Sequence, residues 1–535
     1  MQEWHKYWRG SGLAFVLSVA ALVCLGIFRV DGHVGFSLWD EGYLWYGVQR
    51  TLLGEIPLRD FMSYDPGRYY WAAGWLWVFH DHGVVAVRAV TAVFSALGIC
   101  AAVAFIWKGL GDTERYRIFL CLLTILICAL WAVPWWKQYD EATSIFLTIS
   151  LARVLALPSA RRFFVHGIVV GLAAVIGRNH GFYGVVACLL ATPLLMLTAH
   201  RLNWLRCILA WAGGVILGFG PIIVGLLVDQ RFAAMFWGSI HFMLFEYKGT
   251  NLPLPVPWPW KVVGGQSLTP VLIRSWCIGC LYVAMPLLCL GGLCLLVRSL
   301  WHERRFLHPA FAACALTAIP YLNVAYSRAD DLHLAQSIFP LTLGLLLYPW
   351  HQKKAIVARS VMAFTLAAIA LWVALPLHPA YLKRSQSGWR RVAVNGDKLW
   401  MDAGTAASVE DVKQLANHYL SQGGTILSVP VWPGTYALLG IKSPVYEIYP
   451  LFPRSDAFQR QEIVRLEHAS PSLVLFNDIA VDGRNDLRYG QTHAHILDYI
   501  DSHYHQIASP AGEPQLKVYM PNPLRGDPPT QPAQQ

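Results

Sequence analysis

Charge is scarce in this sequence: Asp, Glu, Lys and Arg make up 14% of its 535 residues, whereas 56% are hydrophobic. Soluble domains carry about a quarter charged residues, so the composition excludes a soluble protein of this length and points to a polytopic membrane protein. Cysteine is absent after position 314, and the 11 present lie in or beside apolar runs, which excludes a disulfide framework. Cys277 and Cys280 form a CxxC with no second pair nearby, which reads as two small buried hydrophobes rather than a metal or redox site. There is no glycine-rich phosphate loop, no GxSxG and no long internal repeat, so P-loop, nucleophile-elbow and solenoid readings fall away. The net charge of +10 forms no basic face in a soluble region, which argues against nucleic acid as a partner. No A-x-A-like cleavage site ends the apolar run after MQEWHKYWRG, so that run reads as an uncleaved first span.

What is there is a series of apolar runs long enough to cross ~30 Å of hydrocarbon, about eleven in all. They fall at 11–28, 84–107, 118–136, 142–157, 163–177, 182–198, 205–227, 276–297, 309–325, 336–349 and 357–376. The basic residues of the short loops keep to one side: Lys6, Arg9, Lys108, Arg115, Arg117, Arg161, Arg162, Arg201, Arg206, Arg298, Arg304, Arg305, Lys353, Lys354 and Arg359 all fall on one face of the membrane. The positive-inside rule then puts the N-terminus in the cytoplasm and everything after residue 376 outside. Residues 228–275 read as a long outer loop whose run NLPLPVPWPWK favours an extended segment, and 232–247 before it reads as an amphipathic interfacial helix.

From about 380 the composition becomes that of an ordinary soluble domain. Helical stretches at 408–422, 458–468 and 492–504 alternate with apolar runs at 425–429, 473–476 and 516–519, the pattern of a small α/β domain. The expected organisation is a transmembrane domain over 1–379, with an outer loop at 31–82, an extracytoplasmic α/β domain over 380–522, and a disordered tail over 523–535.

The ionisable residues at membrane depth collect on the outer side, in four loops. The stretch 37–77 opens with Ser37 as a candidate N-cap and places Asp40 and Glu41 in the first turn of a short helix, expected to lie on the membrane and to end near Gly54 and Pro57. Asp40 as a mere cap remains open on this pattern alone. Arg59, Asp60, Asp65 and Arg68 follow, among Tyr64, Tyr69, Tyr70 and Trp71, a mixture of carboxylates, guanidinium groups and flat rings that suits a sugar with an anionic leaving group. WWKQYDEAT places Asp140 and Glu141 behind Lys137, GRNHGFYG holds Arg178 and His180, and YSRADDLHLAQS holds Arg328, Asp330, Asp331 and His333. Solvated turns and helix-start carboxylates would account for each loop singly. Together they offer proton acceptors and fixed cations, and charge beside apolar spans is costly enough to mark function. These types also admit a divalent metal ion, although no ordered ligand spacing is visible.

With Asp40-Glu41 in the first long outer loop, Asp140-Glu141 before the fourth span, inside-positive loops and a C-terminal outer domain, the chain resembles the GT-C superfamily of membrane glycosyltransferases. Within it, the resemblance is to the protein O-mannosyltransferases and the aminoarabinose transferases of lipid A. The RADDLH loop is also similar to that of bacterial members. The resemblance implies a donor sugar on a polyprenyl phosphate, an extracytoplasmic glycan, lipid or protein acceptor, inversion at the anomeric carbon, and residence in the bacterial inner membrane. It implies Asp40 as general base, Glu41 beside it orienting a substrate, and Asp140 as a second essential acid positioning the acceptor or a metal. Asp65, Arg68, Tyr69, Lys137, Glu141, Asp330 and Asp331 would line the substrate site, and Arg178, His180, Arg328 and His333 would hold the departing phosphate. DEGYLWY replaces the DEPRY-type continuation, which leaves subfamily and sugar open. A transporter or lipid flippase would put ionisable groups at the bilayer midplane and often shows repeated halves. An O-antigen ligase would use an Arg- and His-rich loop without a leading Asp-Glu pair, and a non-catalytic anchor would leave the acidic loops unexplained.

Overall fold

The computed structural model describes residues 2–110, 113–199, 202–262, 269–303, 306, 308–349, 355–420, 423–510 and 515–523. Arg201, Arg304, Arg305, Lys353, Lys354 and all but the first residue of the expected tail lie outside them. The chain forms two compact units, one of residues 1–34, 64–243 and 249–387, the other of 35–63, 244–248 and 388–535. The segment that carries Asp40 and Glu41 therefore folds with the C-terminal residues, not with the helices that flank it in sequence.

The first unit is helical. Each expected apolar run falls on a helix, but among the described residues six helices meet the length and hydropathy of a full span: Ser11–Asp31, Val84–Gly109, Arg178–Met196, Pro270–Glu303, Pro309–Ser327 and Ala355–Leu377. Two bent pairs, Glu114–Trp131 with Trp135–Ala156 (110°) and Trp204–Gly218 with Gly220–Val228 (64°), raise the number to eight if each is one span. Ala160–Ile176 and Phe339–Leu346 are shorter, at 17 and 8 residues, and Pro340 starts the latter where a preceding helix would otherwise run on. The helices Ala160–Ile176 and Trp204–Gly218 touch backbone to backbone. A Cβ added at Gly171 would lie 2.4 Å from Val215 O, and one at Gly214 would lie 2.1 Å from Phe164 O. Two GxxxG faces, Gly167 with Gly171 and Gly214 with Gly218, thus meet, the arrangement that lets helices gain dispersion contact in lipid. At the end of the first helix, buried Asp31 accepts from His378 Nδ1 (2.7 Å) and Ala380 N (2.9 Å), which ties the first span to the residues after the last.

The second unit contains two sheets. β1 (Arg390–Val394) and β2 (Asp397–Met401) form an antiparallel hairpin through Asn395 and Gly396, both at positive φ. β3 (Ile426–Val429), β4 (Leu473–Asn477), β5 (Tyr504–Ile507) and β6 (Leu516–Pro521) make a mixed sheet of order β3-β4-β6-β5. β3 and β4 are parallel and buried at every position, as a strand covered on both faces requires. The helices Ala403–Tyr419, Asp456–Ala469 and Ala494–His503 coincide with the helical stretches read from the sequence. The helix Asp40–Leu52 is buried at every residue from Glu41 to Val48, covered by protein on all its faces, whereas the sequence pattern suggests a helix lying on the membrane. Its aromatic residues explain the difference: Tyr43 meets Tyr449 at 5.5 Å, and Tyr46 meets Tyr436 at 5.5 Å and Phe61 at 5.8 Å.

Candidate active site

In the helical unit the loops named from the sequence converge at the starts of three helices. Pro66 opens Pro66–Phe79 with its φ already set for a helix. Asp65 before it does not cap that helix. Its carboxylate accepts the Arg178 backbone N–H (2.7 Å) and pairs with the Arg178 guanidinium (2.5 Å), so it satisfies an orphan donor at the start of Arg178–Met196. The other arm of Arg178 donates to Ser239 Oγ (2.7 Å), and its guanidinium lies 5.1 Å from the Phe236 ring.

Arg68 is 4% exposed. Its Nε and Nη2 both donate to Ile176 O, at 3.1 and 3.0 Å, the carbonyl at the end of Ala160–Ile176. The same Nη2 donates to Asp140 Oδ1 (2.9 Å), and Tyr64 covers the guanidinium face at 4.7 Å. Nη1 is buried with no hydrogen-bond partner among the described residues, a donor left over once the carbonyl and the carboxylate are served. Gly67 makes this possible: a side chain there would strike Val175 O at 2.6 Å. Lys137 Nζ shares the Tyr64 ring at 4.8 Å, and the Tyr69 hydroxyl accepts from Tyr64 N at 3.0 Å.

Asp140 sits in the first turn of Gln138–Ala156, where the helix dipole favours a carboxylate. Its Oδ1 takes a second donor, His180 Nε2, at 2.9 Å. His180 Nδ1 lies 2.7 Å from the Tyr321 hydroxyl, and Tyr183, edge-on to His180, accepts from Asn323 Nδ2 at 2.9 Å. Glu141 is equally buried, and no cation pairs with it among the described residues. Asp65, Arg68, Tyr69, Lys137, Asp140, Glu141, Arg178 and His180 thus fall in one cluster built from helix starts.

The fourth loop forms a separate group. Asp330 caps Asp331–Ser337 by accepting His333 N (2.8 Å), and it also holds His333 Nδ1 (2.8 Å) and Arg328 Nε (2.9 Å). Burial alone would raise the Asp330 carboxyl, but hydrogen bonds from His333 and the charge of Arg328 outweigh it and hold it below the usual carboxylate range. Arg328 Nη1 donates to Leu252 O (3.1 Å) and Asn251 donates to Ser327 (2.8 Å), so this loop carries the start of the Pro-Trp segment. Asp331 pairs with Arg274 at 2.8 Å.

Asp40 and Glu41 lie in the other unit, at the first turn of Asp40–Leu52. Trp39 occupies the N-cap position and no side chain caps the helix there. Glu41 reaches back instead, accepting Ser37 N at 3.3 Å, while Ser37 Oγ accepts Trp39 N at 3.2 Å. Asp40 is half-buried, and the buried member of the pair is Glu41.

Sequence reasoning missed Tyr321 and Asn323, which sit inside an apolar helix, Ser239, and Tyr183, which lies within GRNHGFYG but carries no charge to mark it. It also passed over Arg274, whose charge within an apolar run was a usable signal. Among the described residues no three His, Cys, Asp or Glu side chains gather as metal ligands. Asp140, the acid proposed to position a metal, shares its oxygen with a guanidinium, whose charge opposes a second cation, so the residues do not fit a resident metal there.

No family model matches the sequence, and no curated protein does. Among solved structures, the chain is similar to ArnT from Cupriavidus metallidurans in the apo state, with TM-score 0.48 and 11% identity over 95% of this chain and 97% of that one. It is similar to the Archaeoglobus fulgidus oligosaccharyltransferase in the apo form, with TM-score 0.45 and 11% identity over 95% of this chain and 74% of that one. It is also similar to the arabinofuranosyltransferase AftD from Mycobacteria, with TM-score 0.38 and 14% identity over 95% of this chain and 41% of that one.

Proposed function

We propose that this protein is an integral membrane glycosyltransferase that moves a sugar from a polyprenyl-phosphate donor to a glycan, lipid or protein acceptor on the extracytoplasmic face. The observation that carries the reading is Arg68: a buried guanidinium, fixed at one end on Asp140 and Ile176 O, that keeps an unsatisfied Nη1 donor. A buried donor without an acceptor costs about 1–3 kcal/mol, and an anionic oxygen arriving with a substrate would recover it. A lipid-linked sugar cannot leave the bilayer, so its phosphate must be met where apolar helices begin. Helix starts with fixed cations supply stationary positive charge for a group that becomes more negative as the reaction proceeds.

In this reading Asp40 takes the proton of the acceptor hydroxyl as its oxygen attacks the anomeric carbon. The carbon–oxygen bond to phosphate breaks, and the polyprenyl phosphate leaves with the bonding pair, inverting the centre. Asp140 orients Arg68 and His180, while Arg178, held by Asp65, adds charge at the start of its helix. The donor's phosphate binds at Arg68 Nη1, with Lys137 beside it. The test is binding and release with undecaprenyl-phosphate-linked hexose and pentose as probes. Arg68→Ala is expected to lose donor binding and turnover together, about a hundredfold or more in turnover. Parent-like binding by Arg68→Ala would sink the assignment.

A further inference from the structure

We propose that the C-terminal domain is the scaffold that sets the position of the Asp40–Glu41 turn, with Gly434 as its positioning residue; this rests on the reading of Asp40 as the general base. No side chain caps the helix at Trp39, and besides the local bonds of Ser37 and Glu41 the turn is gripped from the C-terminal domain. The Gly434 N–H donates to Leu38 O at 2.8 Å, two residues before Asp40. The two backbones then cross without side chains between them. A Cβ on Gly42 would lie 2.4 Å from Gly434 Cα, and a Cβ on Gly434 would lie 2.9 Å from Leu38 O and 3.1 Å from Gly42 Cα. Both glycines are required by proximity, since neither has a positive φ.

The same domain fastens the rest of the segment. Gly35 N donates to Trp400 O (2.8 Å), Ser443 N to the Tyr46 hydroxyl (3.0 Å) and Gln49 Nε2 to Ala437 O (3.3 Å). The Tyr446 hydroxyl donates to Leu58 O and Met62 N donates to Tyr446 O, each at 2.9 Å. Lys442 pairs with Glu55 at 2.8 Å. A displaced base costs rate steeply, on the order of a hundredfold per ångström, without any change in how the donor is held. The scaffold therefore acts on kcat rather than on donor affinity.

The test is Gly434→Ala in the full chain, assayed as release of undecaprenyl phosphate from the probes above and by amide hydrogen exchange. The expected result is a kcat about tenfold or more below the parent, a donor KM within about twofold, and faster exchange over residues 38–46 with β3, β4 and β6 unchanged. Should Gly434→Ala aggregate, Tyr46→Phe carries the test, because it keeps the ring and deletes only the hydroxyl that accepts Ser443 N. It is expected to lower kcat at least threefold with KM unmoved. Parent-like exchange over 38–46 overturns the proposal, as does loss of protection spread equally through the strands. Asp40→Asn run in parallel keeps the two ideas apart: parent-like turnover there defeats the base assignment, while the exchange measurement still decides whether Gly434 holds the turn.

Discussion

Asp140 is a carboxylate 6% exposed and served by a guanidinium and an imidazole at a single oxygen. Removing Arg68 leaves that buried charge with the His180 hydrogen bond but without its guanidinium, so Arg68→Ala is expected to destabilise the fold by about 3 kcal/mol, read as a lower denaturation midpoint of the purified chain. Arg68→Lys keeps the charge but cannot span Ile176 O and Asp140 together, and it should fall between the two. Asp40 is expected to behave oppositely. Glu41, not Asp40, accepts the amide of Ser37, so Asp40→Asn should fold normally, bind donor and lose transfer by about two to four orders of magnitude. Single-turnover transfer alongside thermal denaturation decides it. If Asp40→Asn matches the parent in transfer, the first outer loop is structural. The charged members of the site were legible because charge is rare in this chain and each stands out beside an apolar run. Tyr321, buried in an apolar helix, offers no such contrast, and its meeting with His180 is a tertiary fact across 141 residues.

At the scale of elements, the pairing of Ala160–Ile176 with Trp204–Gly218 turns on glycine. Gly171→Leu is expected to prevent the pair from closing and to yield aggregated protein in detergent, whereas Gly213→Leu, on a face with nothing within 4 Å, should elute as the parent does. Equal behaviour of the two would refute the glycine seam. Both GxxxG patterns are visible in the sequence, but sequence does not say which helix faces which. In the C-terminal domain, by contrast, three strands, β3, β4 and β6, and three helices follow from alternating runs, whereas β1, β2 and β5 carry no apolar run long enough to mark them. Glu447 holds that domain's interior together, paired with Arg454 at 2.6 Å and His493 at 3.0 Å. Burial pushes its carboxyl up, but the Arg454 guanidinium and the His493 ring outweigh that and leave it below the usual carboxylate range. The folded chain thus binds this proton less tightly than the unfolded one. The pair adds stability above the unfolded value, about 4.3, and loses it as pH falls through the folded one. Glu447→Gln is accordingly expected to lower the midpoint at pH 7, with the gap to the parent closing as the pH is taken below about 4.

For the whole molecule, the positive-inside reading of the basic loops predicts that residues 388–535 lie outside. Arg460→Cys is expected to react with an impermeant thiol reagent in intact cells and Arg161→Cys to react only after lysis, the reverse pattern refuting the orientation. The membership of residues 35–63 in the second unit was not legible, because the pattern that marks a helix in that stretch is silent about what covers it. That membership sets the order in which the protein can be finished. Gln49 and its partner Ala437 are 388 residues apart, so at ~5–20 residues per second a ribosome needs roughly 20–80 s to deliver the second after the first. Throughout that interval the run from Glu41 to Val48, buried in the finished protein, lacks the residues that cover it. Burial of that helix therefore waits on the last-made part of the chain, and a copy stopped before Ala437 lacks the carbonyl that accepts from Gln49.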